Sequence, residues 1–518
     1  MLKKYTEKTQ SPENVNSENE NIELVGSAVI EAEDEEDKDL LIDYGKNVGE
    51  TYLNVQINPD LEPGKHREIR ELLKEFSDVF TDTPGVTNLG EHGIELTSLD
   101  PVRSKAYPVP YAMKEVIDKE IDSMLALDII EPSTAAYASP IVIVKKPNGE
   151  NRVCLDFRNL NKITLFDPEP MSQMEDIFSE LSGSQYFSKF DFSKGYWQVA
   201  MKPEDKDLTT FVCHRGLFRF KVMPFGLINA AATFSRIMRK LLDGLPQTRN
   251  YLDDVLTYAQ WWKQHVQILR DFLTRVREAS LVLRPSKCFV GFQQLTYLGY
   301  QLGSEGLKPT MEMVEKIQKA TPPVTKKQLR SFLGLIGYYR AFVPNFAALA
   351  ISLTDLTRKG SPNVLVWNEV HEHAFQSLKR YVCSPPVLRL PNVHKSFILQ
   401  TDASNDGIGA ILLQEEVGVR HPVAFASKKL LPRERNYSTI EREALAIVWG
   451  VRKFEKYLYG QHFLLETDHH PLQYLLKAKY SNGRLMRWAL ALQPYRFTIT
   501  AIKGSQNVGA DFLSRHAL

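Results

Sequence analysis

Three aspartates stand where carboxylates are expensive. In YLDDVLTY (251–258), Asp253 and Asp254 are neighbours inside an otherwise apolar and aromatic run. Successive side chains of a strand face opposite sides, so the two act together only if the chain turns there, as at the tip of a tight hairpin. Adjacent carboxylates also repel, which calls for a cation beside them. A third, Asp191, lies between Phe190 and Phe192 in YFSKFDFSKGYWQV (186–199), where an unpaired charge would be costly. A lone Asp-Asp pair reads as an acidic turn. Three aspartates from two apolar strands meeting at one point would instead form a hard, oxygen-rich site suited to Mg2+. Two such ions about 3.5–4 Å apart stabilise an in-line phosphoryl displacement.

A second set of carboxylates surrounds the segment STIEREALAIVWGVRKFEKYLYG (438–460). Ser438 and Glu441 form a capping box that opens a helix. Its apolar stripe runs through Ile440, Ala444, Ile447, Val448, Val451 and Phe454. Glu443, next to Ala444, is read on the buried side, with Glu441 and Arg442 pointing away. A carboxylate on a buried helix face needs a cation or a metal. Candidate companions are Asp402 in LQTDAS, Asp468 in LLETDHHPL and Asp511 in NVGADFLSR. Any one of these alone reads as a structural residue.

The elements that must position these groups are legible in outline. A helix is expected in HREIRELLKEFSDVF (66–80), with Ile69, Leu72, Leu73, Phe76 and Phe80 at helical spacing, and another over 113–130. SPIVIVKK (139–146) and RVCLDF (152–157) read as strands flanking an Asn148–Gly149 turn, a strong hairpin signal. Helices and strands then mix irregularly to about residue 305, which reads as α+β. Residues from about 311 to 380 are mainly helical, including TKKQLRSFLGLIGYYRAF (325–342), opened by a Thr325–Gln328 capping box. Beyond the Pro-containing stretch SPPVLRLPN (384–392), a strand-strand-strand-helix-strand series marks a second α+β domain with its own core.

Composition sets the outer limits. With 518 residues, 43% hydrophobic and 10% aromatic, the chain holds several cores and is not disordered as a whole. Its formal net charge of +1 hides a segregation: residues 1–45 carry 13 acidic and 4 basic side chains, leaving 60 basic and 50 acidic in the rest. An acidic tail, expected to be disordered, thus precedes a leader (46–100) and a basic body, which hints at a polyanionic partner. Cys154, Cys213, Cys288 and Cys383 are far apart, so neither a zinc module nor a disulfide scaffold is indicated. No apolar run approaches a membrane span and the N-terminus is no signal peptide, so no membrane partner and an intracellular setting are expected.

FDFSKGYWQV, VMPFGLINAAATF (222–234) and YLDDV together resemble the reverse transcriptase of gypsy-type LTR retrotransposons. SPIVIVKKPNGENRVCLDFRNLN, TYLGYQLGSEGLKPT and LRSFLGLIGYYRAF extend the resemblance over roughly residues 95–515. It implies a right-hand polymerase, with fingers and palm over 101–310 and thumb/connection over 311–390. It further implies that Asp191, Asp253 and Asp254 are the palm triad binding two Mg2+, with Mn2+ as a possible substitute. Lys145 and Arg152 match fingers cations that grip the incoming dNTP, although the residues alone allow a solvated hairpin equally well. Tyr196 matches the bulky gate against a ribose 2′-hydroxyl; its alternative reading is a half-buried core aromatic. Phe225 and Gly226 match the pocket beside the nucleotide, and Leu298, Gly299 and Tyr300 resemble the primer grip. Polar Arg249 and Asn250 precede the hairpin where many relatives are apolar.

Asp402, Glu443, Asp468 and Asp511, in that order and spacing, resemble an RNase H active site, again with two metals, acting on the RNA strand of an RNA–DNA hybrid. The resemblance makes the second domain an RNase H-like α/β domain with a mixed sheet over 391–518. Ile502 stands where many RNases H carry a histidine before the Lys503–Gly504 pair, and Gly509 where relatives usually have Val. The expected partners are an RNA template, a DNA primer and hybrid duplexes. No DTG or DSG triplet, HHCC finger or integrase core appears, so protease and integrase are expected in neighbouring segments of a polyprotein. The resemblance implies work in a cytoplasmic virus-like particle with a nuclear phase. The competing readings are an inactive or domesticated nucleic-acid-binding derivative and a scaffolding segment.

Overall fold

The computed structural model describes residues 29–31, 49–98, 100–145, 151–343, 346–384, 388–468 and 483–502. It divides into two units, one built from Met1–Gly45, Glu91–Asp167 and Val199–Ala230, the other from Lys46–Gly90, Pro168–Gln198 and Ala231–Leu518. Of the acidic tail, only Val29–Glu31 falls among the described residues, as a three-residue strand parallel to Ile143–Lys145.

The first unit is organised by the strand Ser139–Lys145, whose β-branched run buries Ile141, Val142 and Ile143. Asn151–Leu155 pairs with it antiparallel, Lys145 opposite Asn151, as the Asn-Gly signal implies; residues 146–150 themselves lie outside the described residues. Phe211–Cys213, Gly216–Phe220 and Ile130–Pro132 extend the sheet on the other side. The helix expected over 113–130 runs from Tyr111 to Ala126 and buries Ile117, Ile121 and Met124. It stops early because Asp128 adopts a left-handed φ of 57° and Ile130 opens a strand.

In the second unit a five-stranded sheet runs in the order Thr248–Tyr251, Asp254–Ala259, Tyr186–Asp191, Phe289–Phe292, Gln56–Ile57. The leader therefore supplies an edge strand rather than a separate connector. Its helix Pro63–Glu75 buries Ile69, Leu72 and Leu73, and ion pairs Arg270–Glu75 (2.6 Å) and Arg277–Asp78 tie this region to the helix Trp262–Glu278. Three strands, Gln294–Tyr297, Tyr300–Gly303 and Gly306–Pro309, then lead into Met311–Lys319, Lys326–Tyr338 and Glu369–Cys383. These share one core that includes Tyr297, Tyr339, Phe342 and Phe375. The Thr325–Gln328 capping box is present at the head of Lys326–Tyr338.

The C-terminal sheet of this unit runs Val419–Lys429, Gly407–Glu416, Phe397–Ala403, His462–Thr467, Arg496–Ala501. Its first three strands are antiparallel and the last two join in parallel, so the sheet is mixed. Helix Thr439–Lys453, opened by the Ser438–Glu441 capping box, lies against it. Gly450 lets it close in: a Cβ there would sit 3.1 Å from Thr401 Cγ2 and 3.3 Å from Ala410 Cβ. The expected stripe is buried apart from Ile440, which sits in the exposed first turn. No helix among the described residues is long and apolar enough to cross a membrane.

Candidate active sites

Asp191 ends the strand Tyr186–Asp191 and Asp254 opens Asp254–Ala259; the two are direct antiparallel partners. Tyr251 pairs with Asp254, leaving Leu252 and Asp253 as a two-residue hairpin turn. The turn that the Asp-Asp pair requires is therefore present. Leu252 takes φ 54°, the left-handed value that primed hairpin turns demand and that β-rich residues avoid. Asn250 secures it, its Nδ2 donating to the Leu252 carbonyl at 2.9 Å. Arg249 pairs with Glu180 at 2.6 Å, and Tyr258 donates to the same carboxylate at 2.9 Å. The two polar residues that set this strand apart thus anchor the hairpin.

Each strand carboxylate faces a lysine. Lys189 Nζ lies 2.9 Å from Asp254 Oδ1, and Lys287 Nζ lies 3.5 Å from Asp191 Oδ2. Burial raises the Asp191 carboxyl above its usual range, Lys287 opposes that, and Asp254 adds to it. A pair of close, poorly hydrated carboxylates of this kind is chemically suited to a hard divalent cation. Tyr196 sits half-buried in the turn Gly195–Gln198, its ring 5.5 Å from that of Phe234. Gly195 permits the approach, since a Cβ there would meet Phe234 at 3.2 Å.

In the first unit, Arg152 stands on the strand opposite Val144, and its buried Nε has no hydrogen-bond partner among the described residues. Lys145 closes its strand, but its side chain lies outside the described residues. Gly226 takes φ 93°, and a Cβ would touch Phe157 and the Leu155 carbonyl at 3.5 and 3.6 Å. Asn161, not singled out from the sequence, brackets this loop: its Nδ2 donates to Gly226 O at 2.8 Å and its Oδ1 accepts from Ile228 N–H at 3.0 Å. The only hint was its place in FRNLN.

Leu298 and Gly299 form the turn between Tyr297 and Tyr300, with φ 46° and 71°. Two tyrosines missed in the sequence hold it. Tyr338 donates to Leu298 O at 2.6 Å, Tyr339 donates to Gly299 O at 2.8 Å, and Tyr300 donates back to Tyr338 O at 3.1 Å. The adjacent aromatics of GYYRAF were the available signal.

The second carboxylate set converges more tightly. Ligand atoms of Asp402, Glu443 and Asp468 all lie within 4.8 Å of one another, the one such group found among the described residues. Asp402 comes from the end of Phe397–Ala403, Glu443 from the first turns of Thr439–Lys453, and Asp468 follows His462–Thr467. Burial pushes the Glu443 carboxyl up to about 9, with Asp402 and Asp468 adding to the rise. Its Oε1 accepts the Ala403 N–H at 3.3 Å, while the buried Oε2 has no hydrogen-bond partner among the described residues. An orphaned carboxylate oxygen between two further carboxylates fits a divalent cation. Asp511, Lys503, Gly504 and Gly509 lie outside the described residues. Arg442 does not simply point away: its Nη1 donates to the Ser404 carbonyl at 3.1 Å, in the loop after Asp402. On the strands that lead to Asp402 and Asp468, Glu466 is held by Arg420 at 2.9 and 3.0 Å and by Gln400 at 2.8 Å, a network that the sequence did not reveal. All four cysteines are free thiols.

Two family models match the chain: "Reverse transcriptase (RNA-dependent DNA polymerase)" over residues 144–302 and "RNase H-like domain found in reverse transcriptase" over residues 392–495. The chain is 37% identical over 436 residues to the retrovirus-related Pol polyprotein from transposon 297 of Drosophila melanogaster, covering 83% of this chain and 41% of that protein. It is 31% identical over 466 residues to the transposon Tf2-3 polyprotein of Schizosaccharomyces pombe, covering 87% and 35%. It thus spans about two-fifths of the length of the curated relatives it matches. Among solved structures, a foamy viral protease-reverse transcriptase in complex with dsDNA superposes with TM-score 0.79 at 23% identity, covering 86% of this chain and 94% of that one. The same viral protein in complex with RNA/DNA hybrid gives 0.75 at 23% identity, covering 86% and 61%. The fold is that of a right-hand polymerase followed by an RNase H-like domain. With these sheets, turns and carboxylate pairs in place, the chain carries a reverse transcriptase domain followed by an RNase H-like domain, and it is similar to that segment of retrotransposon Pol polyproteins.

Proposed function

We propose that this chain is an RNA-directed DNA polymerase that copies an RNA template from a DNA primer using dNTPs, with a linked RNase H that cuts the RNA strand of the resulting hybrid. The observation that carries the reading is the pair of separate acidic centres: Asp191 and Asp254 paired across adjacent antiparallel strands with Asp253 in the hairpin turn beside them, and Asp402, Glu443 and Asp468 converging within 4.8 Å.

Asp191, Asp253 and Asp254 would hold divalent cations at the first centre, and Asp402, Glu443, Asp468 and Asp511 at the second, two Mg2+ in each or Mn2+ in their place. When bound, such ions neutralise the reacting phosphate and lower the pKa of the attacking hydroxyl or water. The chain's own groups supply the rest. Lys145 and Arg152 offer cations to a triphosphate, Phe225 and Gly226 a close-packed wall beside it, and Tyr196 a ring that excludes a 2′-hydroxyl. Leu298, Gly299 and Tyr300 present the primer end. The fingers and palm would span 101–310, thumb and connection 311–390 and the nuclease 391–518, with the acidic segment 1–45 and leader 46–100 before them. Duplex contacts made through backbone phosphates should weaken steeply with salt. We further propose that it works inside the cell, in a cytoplasmic particle with a nuclear phase and beside protease and integrase segments; that the relatives are polyproteins supports the presence of neighbouring segments.

The test is a primed poly(rA) template with dTTP in Mg2+ or Mn2+, run beside cleavage of a labelled RNA–DNA hybrid. Extension and cleavage by one preparation are expected. Binding to primed template without either reaction would point to a non-catalytic derivative.

A further inference from the structure

We propose that Glu50, in the N-terminal leader, is a positioning residue for the polymerase site, acting through Ser286 on the turn that holds Asp191. The inference rests on the polymerase reading above. Glu50 grips Ser286 with both carboxylate oxygens: Oε2 accepts the Ser286 N–H at 3.0 Å and Oε1 accepts its hydroxyl at 2.8 Å. Ser286 is the middle residue of the short 3-10 turn Pro285–Lys287. Just before that turn, Arg284 N–H donates to the Asp191 carbonyl at 2.8 Å. At its end, Lys287 Nζ stands 3.5 Å from Asp191 Oδ2. Backbone and charge thus reach Asp191 from the two ends of one turn, and Glu50 pins the turn between them.

The pin is needed because so short a turn fixes little by itself. Its own backbone bonds are Lys287 N–H to Arg284 O at 3.2 Å and Cys288 N–H to Pro285 O at 3.1 Å. A bidentate, charge-assisted contact from outside is stronger than either. The leader is stitched on beyond it as well: Gln56 N–H donates to Cys288 O at 2.9 Å, Asn58 N–H to Val290 O at 3.0 Å, and Asn58 Nδ2 to Gly291 O at 3.1 Å. Those bonds keep the leader docked when Glu50 is changed, so the loss of Glu50 should act on the turn and not on the fold.

The full chain decides this with two readouts. Glu50→Ala should lower kcat for single-nucleotide extension about tenfold, with the KM for nucleotide changed by less than about twofold. Glu50→Gln, which keeps one acceptor, should fall between, and Ser286→Ala should add nothing to Glu50→Ala. Hybrid cleavage by the same preparation should be unchanged. Hydrogen exchange should show the amides of residues 284–288 opening faster in Glu50→Ala than in the parent. Unchanged extension, unchanged exchange, or a joint loss of extension and cleavage would each overturn the proposal. A parent chain that fails to extend a primer refutes the polymerase reading instead, and the exchange comparison still decides whether Glu50 pins the turn.

Discussion

Asp191 and Asp254 face each other across two antiparallel strands, yet each is matched to its own lysine: Lys189 at 2.9 Å from Asp254, Lys287 at 3.5 Å from Asp191. The arrangement gives each of two close carboxylates a local counter-charge that offsets their repulsion. At the Asp402–Glu443–Asp468 cluster the charge that opposes the rise of the Glu443 carboxyl is instead an arginine, Arg442.

Replacing Asp253 and Asp254 together by Asn should therefore abolish primer extension and leave hybrid cleavage intact. Glu443→Gln should do the reverse. Both activities measured on one preparation of each variant provide the check, and a joint loss in either would contradict two independent centres.

The hairpin at Leu298–Gly299 makes a second prediction. Gly299 has φ 71° and a Cβ would press within 3.3 Å of Tyr338 Cε1. Gly299→Ala should cost about 1–2 kcal/mol from the left-handed backbone alone, read as a lower Tm, and should depress extension more than cleavage. Tyr339→Phe removes the bond to Gly299 O and should cost about 1 kcal/mol, with a smaller effect of the same sign.

How much of this was visible in the sequence depends on range. Local devices were legible: both capping boxes, the strand pairing on either side of Asn148–Gly149 and the helical stripes at Ile69–Leu73 and Ala444–Val451 rest on residues a few positions apart, although the first helix ends at Glu75 and leaves Phe80, expected on it, in extended backbone. The helix end at Asp128 was not, because Asp in a left-handed conformation leaves no pattern in hydropathy. Contacts between distant segments were invisible for a different reason. Glu50 with Ser286, Tyr339 with Gly299 and Asn161 with Gly226 pair ordinary residues that only the folded chain brings together. The carboxylates stood out because a charge among apolar neighbours is costly wherever it lies.

Glu466 gives a stability prediction of opposite character to the metal-site variants. It is 2% exposed and bound by Arg420 and Gln400. Arg420→Met would strand a buried carboxylate and should destabilise the C-terminal domain by roughly 2–4 kcal/mol. The double variant Arg420→Met/Glu466→Leu should recover most of that loss. Denaturant midpoints for the single and double variants provide the comparison, and equal midpoints would show that the pair is not coupled.

Glu443 contributes a pH dependence to the stability of the chain in chelator. Its carboxyl is pushed up to about 9 against an ordinary 4.5, first by burial and then by Asp402 and Asp468. Between those values the folded chain keeps a proton that the unfolded chain has released, so raising the pH must favour unfolding. In chelator, Tm should fall progressively as pH rises from about 4.5 towards about 9, and Glu443→Gln, which has no proton to lose, should flatten that fall. Adding Mg2+ should raise Tm more at about pH 8 than at about pH 6, because the cation binds the ionised cluster and competes with the proton. Thermal melts of both proteins across this range, with and without Mg2+, measure the linkage directly; a parent curve as flat as that of Glu443→Gln would mean that the carboxyl is already ionised and that its burial is offset by some other group.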